Sequence, residues 1–149
     1  MNNKKLIKIE FACLILCLMV LFLVVITGAK QDSEAWKSKG TTLFQSAKYD
    51  KALEAFDKAI EINTRDSGAW YNKGFALRKL GKSDEAIKAY DKAIEINPQD
   101  SRVWDGKGGA LMELGKSDEA IKAFDKALEI NSVDSVALAA KMHIWPLSH

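Results

Sequence analysis

The chain has 149 residues, with 22 Lys or Arg against 20 Asp or Glu and a net charge of +2 at pH 7. That length fits one domain, and the near-balance of charge argues against the clustered basic face of a nucleic-acid binder. Its two cysteines, Cys13 and Cys17, share one apolar run, which excludes a disulfide framework; they read as small apolar filler, with pairing to a second chain the alternative.

Residues 1-10 are a basic segment carrying Lys4, Lys5 and Lys8. Phe11 to Ile26 follows with no charged or strongly polar residue, and Thr27-Gly28-Ala29 extends the tolerable stretch to Lys30. As a helix rising about 1.5 Å per residue, 11-29 would measure roughly 28 Å, close to the hydrocarbon thickness of a bilayer. The segment is therefore read as a membrane anchor. Lysines precede it and mixed charge follows, which puts the N-terminus in the cytoplasm and the remainder outside, as a single-pass membrane protein. The alternative is a signal peptide cleaved at Thr27-Gly28-Ala29, leaving the rest secreted. The apolar core is longer than the usual 7–15 or so residues of a signal, which favours the anchor. Leu16, bulky where lipidation signals carry a small residue, argues against lipid attachment at Cys17.

Three copies of a 34-residue unit then occupy 33-66, 67-100 and 101-134, and 16 positions are identical in all three. The anchors are Trp36/Trp70/Trp104, Gly40/Gly74/Gly108, Ala52/Ala86/Ala120 and an Asp-Lys-Ala in each second half. This period, with Trp at position 4, Gly at 8, Ala at 20, an aromatic at 24 and Ala at 27, resembles the tetratricopeptide repeat (TPR) family. Two recurrent departures stand out: Lys39/Lys73/Lys107 where Leu is usual, and Leu43/Leu77/Leu111 where an aromatic is usual. The resemblance implies an all-α TPR solenoid of antiparallel helix pairs in a right-handed superhelix, here preceded by one transmembrane helix. The first helix of each pair (helix A) is expected at 34-46, 68-80 and 102-114, and the second (helix B) at 49-62, 84-96 and 118-130. Gly81 and Gly115 sit where helix A must stop, while Ser83 and Ser117 are placed as N-caps ahead of Asp-Glu. Ala47 and Tyr49 replace this Gly and Ser in the first copy, so that turn should be less well specified. Charges alternate along the helices as in Asp84 and Lys88, the pattern of a solvated outer surface.

On a helical wheel of helix A, positions 2, 5, 6, 9, 12 and 13 differ in all three copies and fall within one arc, opposite the invariant positions 4, 7 and 11. The varying side chains are Glu34, Lys37, Ser38, Thr41, Phe44 and Gln45, then Gly68, Tyr71, Asn72, Phe75, Arg78 and Lys79, then Arg102, Asp105, Gly106, Gly109, Met112 and Glu113. In TPR proteins this face lines a concave groove for a peptide or partner helix, so the resemblance implies a protein or peptide partner there. The mix of aromatic, Arg and Met residues suits an interaction surface. Some TPR grooves also clamp a peptide's C-terminal carboxylate. Lys37, Asn72 and Arg102 match three places of that clamp, whereas Thr41 and Gly106 leave it incomplete.

Residues 76–83 and 110–117 fit a relaxed phosphate-binding loop pattern, but each match finishes a helix with no strand before it, so nucleotide binding is rejected. His143 and His149 have no ligand partners at metal spacing, and no nucleophilic set stands out. The chain reads as a non-enzyme without cofactor or metal. Gly106, Gly108 and Gly109 crowd one turn of the third helix A at a cost of about 1 kcal/mol each relative to Ala. That predicts the least stable helix A, through sequence decay or to admit a ligand backbone. Residues 135-149 read as a partial fourth repeat or capping helix, ended by Pro146. Val136, Leu138, Met142, Ile144 and Trp145 make it apolar where a further helix B should cover it. Hence a second expectation: assembly or self-association through this C-terminal edge, an accessory role in a larger membrane complex, or a shortened form of a longer array.

Overall fold

The computed structural model describes residues 3–133 and 135–144, with 3–13, 29–30, 135–137 and 144 described by backbone alone. The elements are α1 (Asn3–Gln45), α2 (Tyr49–Ile62), α3 (Ser67–Lys79), α4 (Ser83–Ile96), α5 (Ser101–Glu113), α6 (Ser117–Ile130) and α7 (Ser135–Ile144). α1 joins the apolar segment and the first helix A, which the sequence had suggested as separate elements. Nothing between 27 and 33 can stop a helix. There is no proline, Gly28 costs only about 1 kcal/mol, and the Thr27 hydroxyl donates back to the carbonyls of Leu23 and Val24.

Each helix B is held by a stripe of alanines at 3- and 4-residue spacing. Ala52, Ala55 and Ala59, with their counterparts in α4 and α6, are buried, and the small side chains let the antiparallel partner approach closely. The shared Gly of helix A completes this contact. A Cβ on Gly40, Gly74 or Gly108 would come within 2.5 to 2.7 Å of the Phe56, Tyr90 or Phe124 ring. No other residue fits there without displacing a buried aromatic.

Helix A ends in the same way in every copy. The amides of Lys48, Lys82 and Lys116 donate to the carbonyls of Leu43, Leu77 and Leu111 at 2.9 to 3.0 Å, and the residue before each has positive φ. Ala47 takes this conformation (φ 57°) where the other copies have Gly81 and Gly115 (φ 74° and 73°). The first turn thus keeps its geometry at a steric cost. The expectation of Ser83 and Ser117 as N-caps is corrected. They are the first helical residues of α4 and α6, behind Lys82 and Lys116, and neither helix has a side-chain cap bond. Capping falls instead to Asp66 and Asp100, which accept from the amides of Ala69 and Arg102.

Stacking between units rests on invariant residues. The Trp70 and Trp104 indoles donate to the carbonyls of Thr64 and Pro98 at 3.0 Å. Lys73, Lys107 and Lys141 pair with Asp57, Asp91 and Asp125 of the preceding unit at 2.5, 2.6 and 2.5 Å. The recurrent Lys at position 7 is thereby explained as half of an inter-repeat ion-pair ladder. On the outer surface the ion pairs are Lys92–Glu95 and Lys126–Glu129, and Asp84 and Lys88 do not form the pair that their spacing suggested.

The A helices touch in sequence, α1 to α3, α3 to α5 and α5 to α7, whereas α2, α4 and α6 touch only A helices. The array therefore curves with the A helices on its inner side. α7 takes the place of a fourth helix A: Ala140 packs on the last core cluster, while Leu138 and Met142 remain exposed. The side chains of Cys13, Val136 and Ile144, and all of Trp145, Pro146 and His149, lie outside the described residues. At the other end Leu14 to Ile26 are all exposed, in a helix long and apolar enough by length and composition to cross a membrane.

Candidate functional site

The varying positions of helix A are carried by α1, α3 and α5, on the inner side of the curve. Their centre is a run of aromatic rings that crosses unit boundaries. Phe44 of α1 lies 5.1 Å from Tyr49 and stacks on Phe75 of α3 at 5.0 Å. Phe75 lies parallel to Tyr71 at 6.2 Å, and Tyr71 meets Tyr90 of α4 at 6.1 Å. Cations stand over these half-buried rings: Arg78 and Lys79 over Phe75 at 5.2 and 5.7 Å, and Arg102 over Tyr71 at 5.6 Å. Such contacts contribute about 0.5–1 kcal/mol each at exposed sites. Ser38, Thr41 and Gln45 extend the surface as exposed residues of α1, Asn72 and Asp105 are half-buried, and Met112 and Glu113 are exposed at the end of α5. The Thr41 hydroxyl bonds the Lys37 carbonyl.

The cations matched to a carboxylate clamp are already engaged. Lys37 donates to Glu34 and to Asp66, both at 2.8 Å. Arg102 forks onto both oxygens of Asp100, at 2.9 and 2.7 Å. Burial acts to lower the Lys37 pKa, yet the bonds to Asp66 and Glu34 leave it raised. The hydrogen bond from Arg102 holds the Asp100 carboxyl below its ordinary value against the opposing effect of burial. Asp66 and Asp100 thus cap α3 and α5 and also hold a cation each, so an incoming carboxylate would have to compete with both.

The glycines of α5 have a different meaning from either one expected. A Cβ on Gly106 would lie 2.7 Å from the Tyr90 ring and 3.0 Å from its hydroxyl, and a Cβ on Gly109 would run into the Arg78 guanidinium. The space belongs to two side chains of the second repeat. Arg78 crosses to the third repeat through it, its Nε 3.5 Å from Glu113, and the Ser83 hydroxyl donates to the same carboxylate at 2.6 Å. Beneath them the Tyr90 hydroxyl is fully buried with no hydrogen-bond partner, and burial pushes its pKa well up.

Tyr90 and Ser83, buried beneath this surface, and Tyr49, Asp66 and Asp100 beside it were missed. A signal existed for Tyr90, since position 24 is Phe in the first and third copies. The aspartates were hidden among the invariant positions, where constancy reads as scaffold.

An array of antiparallel helix pairs, curved around an inner aromatic face, defines a helical-repeat scaffold. The chain belongs to the tetratricopeptide repeat family: its family models match residues 33–66, 67–100 and 101–132. The Arabidopsis OM64 TPR domain is 23% identical, with 80% of this chain and 98% of that one covered and a TM-score of 0.79. The second TPR domain of human RPAP3, in complex with the HSP70 peptide SGPTIEEVD, is 25% identical, covering 78% and 97% with a TM-score of 0.75. MamA is 35% identical over 69% of this chain and 60% of that one, with a TM-score of 0.66. No curated protein matches the chain. The fold is that of TPR modules, some of which hold peptides.

Proposed function

We propose that this protein is a membrane-anchored interaction module, taking a peptide segment or partner protein onto the face formed by α1, α3 and α5. The observation that carries the reading is the cross-repeat run of Phe44, Phe75 and Tyr71 under Arg78, Lys79 and Arg102. A row of rings and cations, part-open on the inner side of a curved array, presents the residue types that dominate interface energetics. The likeness to the RPAP3 domain supports a peptide-like ligand, while the engagement of Lys37 and Arg102 argues against anchoring by a terminal carboxylate. The ligand would then be read along its length. The apolar half of α1 supports the anchor, with the repeats outside the cytoplasm by the lysine asymmetry. Exposed Leu138 and Met142 favour the second reading, assembly through the C-terminal edge.

A photocrosslinking residue at Lys79 of the full chain, in its native membrane, should capture a partner that the same residue at Lys88 on α4 does not. Phe75→Ala should abolish the adduct. Equal capture from Lys88, or capture only from Met142, would transfer the function to the outer surface or the edge.

A further inference from the structure

At the N-terminal edge of the array three hydrogen-bond donors gather around one ring without an acceptor. The equivalent groups of the later repeats are satisfied. The Trp70 and Trp104 indoles bond the preceding turn, Lys73 and Lys107 bond Asp57 and Asp91, and Lys92 and Lys126 bond Glu95 and Glu129. In the first repeat these positions are Trp36, Lys39 and Lys58. No repeat precedes them among the described residues to supply a carbonyl or an aspartate. Both ammonium groups stand over the Trp36 ring, at 4.5 and 5.9 Å from its centroid, as those of Lys73 and Lys107 stand over Trp70 and Trp104 at 5.5 and 5.8 Å. Of the nearby carboxylates, Glu34 pairs with Lys37 and Asp57 with Lys73, while Asp32 and Glu54 are exposed and form no ion pair with Lys39 or Lys58. Glu61, one turn beyond Lys58, is exposed and forms no pair with it.

Two exposed ammonium groups and an indole N–H at a half-buried ring make a donor set suited to an anionic oxygen group such as a phosphate. The place of this set in the fold selects the source. α1 runs unbroken from the apolar stretch into Trp36, seven residues and about 10 Å beyond Ala29. Helical side chains lean toward the N-terminus, so Trp36 and Lys39 reach back toward the apolar run. The end of α2 that carries Lys58 returns to the same level, where the Ser33 hydroxyl donates to the Ala59 carbonyl at 3.0 Å. The polar layer of a bilayer is roughly 5–7 Å thick on each side, so Trp36, about 10 Å out, meets it through the backward lean of its side chain. We propose that Trp36, Lys39 and Lys58 bind the phosphodiester headgroups of anionic membrane lipids, seating the first repeat on the bilayer. The inference rests on the anchor reading above.

The test uses the full chain in vesicles of phosphatidylcholine with and without phosphatidylglycerol, and a nitroxide on the lipid headgroup. Flotation and resistance to alkaline extraction report the anchor separately. If the protein is not retained, the anchor reading falls and takes this proposal with it. With the protein retained, headgroup quenching of tryptophan emission should be stronger in phosphatidylglycerol vesicles. Trp36→Phe should remove that increment, and the double variant Lys39→Glu, Lys58→Glu should lose at least half of it without a change in helical content. Retained protein with quenching identical in wild type and Trp36→Phe would overturn the proposal. So would absent quenching with a crosslink from Lys39 or Lys58 to a protein chain, which would assign the edge to a protein partner.

Discussion

Gly106 and Gly109 are three residues apart on one helix, and both look like defects by propensity. Their neighbours separate them. An alanine at either site gains about 1 kcal/mol of helix propensity. At Gly106 the methyl group meets the ring of Tyr90, which is held between α3 and α5 and is fully buried. Overpacking of that kind typically costs about 1–3 kcal/mol, so Gly106→Ala should lower stability despite the gain in propensity. At Gly109 the obstacle is the far end of Arg78, a flexible side chain that can leave toward solvent. Gly109→Ala should therefore match or exceed wild-type stability, and chemical denaturation of the two variants side by side measures the difference. The same order for both would mean that Tyr90 yields as easily as Arg78. These contacts were out of reach of the helical wheel, because the wheel compares positions within one repeat. Tyr90 and Arg78 reach from the second repeat to the backbone of the third.

Helix pairs, their turns and the packing Gly were legible in the sequence, because each depends on residues inside one 34-residue unit that the copies repeat. Bonds between units were harder to read. Positions 7 and 25 are both invariant, and nothing in their constancy shows that Lys107 meets Asp91 of the preceding copy. The joining of the apolar segment to the first helix A was missed for another reason: apolar span and repeat have different composition, yet nothing between them breaks a helix. The ladder tests how much ionic contacts add to stacking. Its pairs are partly exposed, with side-chain accessibility of 25% for Lys107 and 45% for Asp91, which limits each to less than about 1 kcal/mol. The Lys73 and Lys107 ammonium groups also stand over the Trp70 and Trp104 rings at 5.5 and 5.8 Å, a contact that survives loss of the carboxylate. Asp91→Ala should consequently lower stability by under about 1 kcal/mol, and the difference from wild type should shrink at high salt as screening removes the Coulombic part. A loss of several kcal/mol would show that the pair organises the interface beyond its charge.

Across the whole molecule the two ends of the array are unlike. In a stack where each unit contacts only its neighbours, terminal units open first. Among the described residues no helix B covers α7, and Leu138 and Met142 are exposed. Among the described residues no repeat precedes the first one, but its helix A is continuous with an apolar stretch long enough to cross a membrane. α5, which glycine content alone marks as weakest, is packed between α4 and α6 and buries Val103, Ala110 and Leu111. Packing opposes propensity here, and in proteins an amphipathic face usually supplies more helix stability than propensity does. Hydrogen exchange of the full chain in vesicles should accordingly show α7 exchanging fastest and α4 and α5 slowest, with the repeat portion of α1 protected. If α5 exchanged as fast as α7, the three glycines would outweigh the burial of their neighbours. Equal fraying of α1 and α7 would instead show that the bilayer lends the first repeat no support.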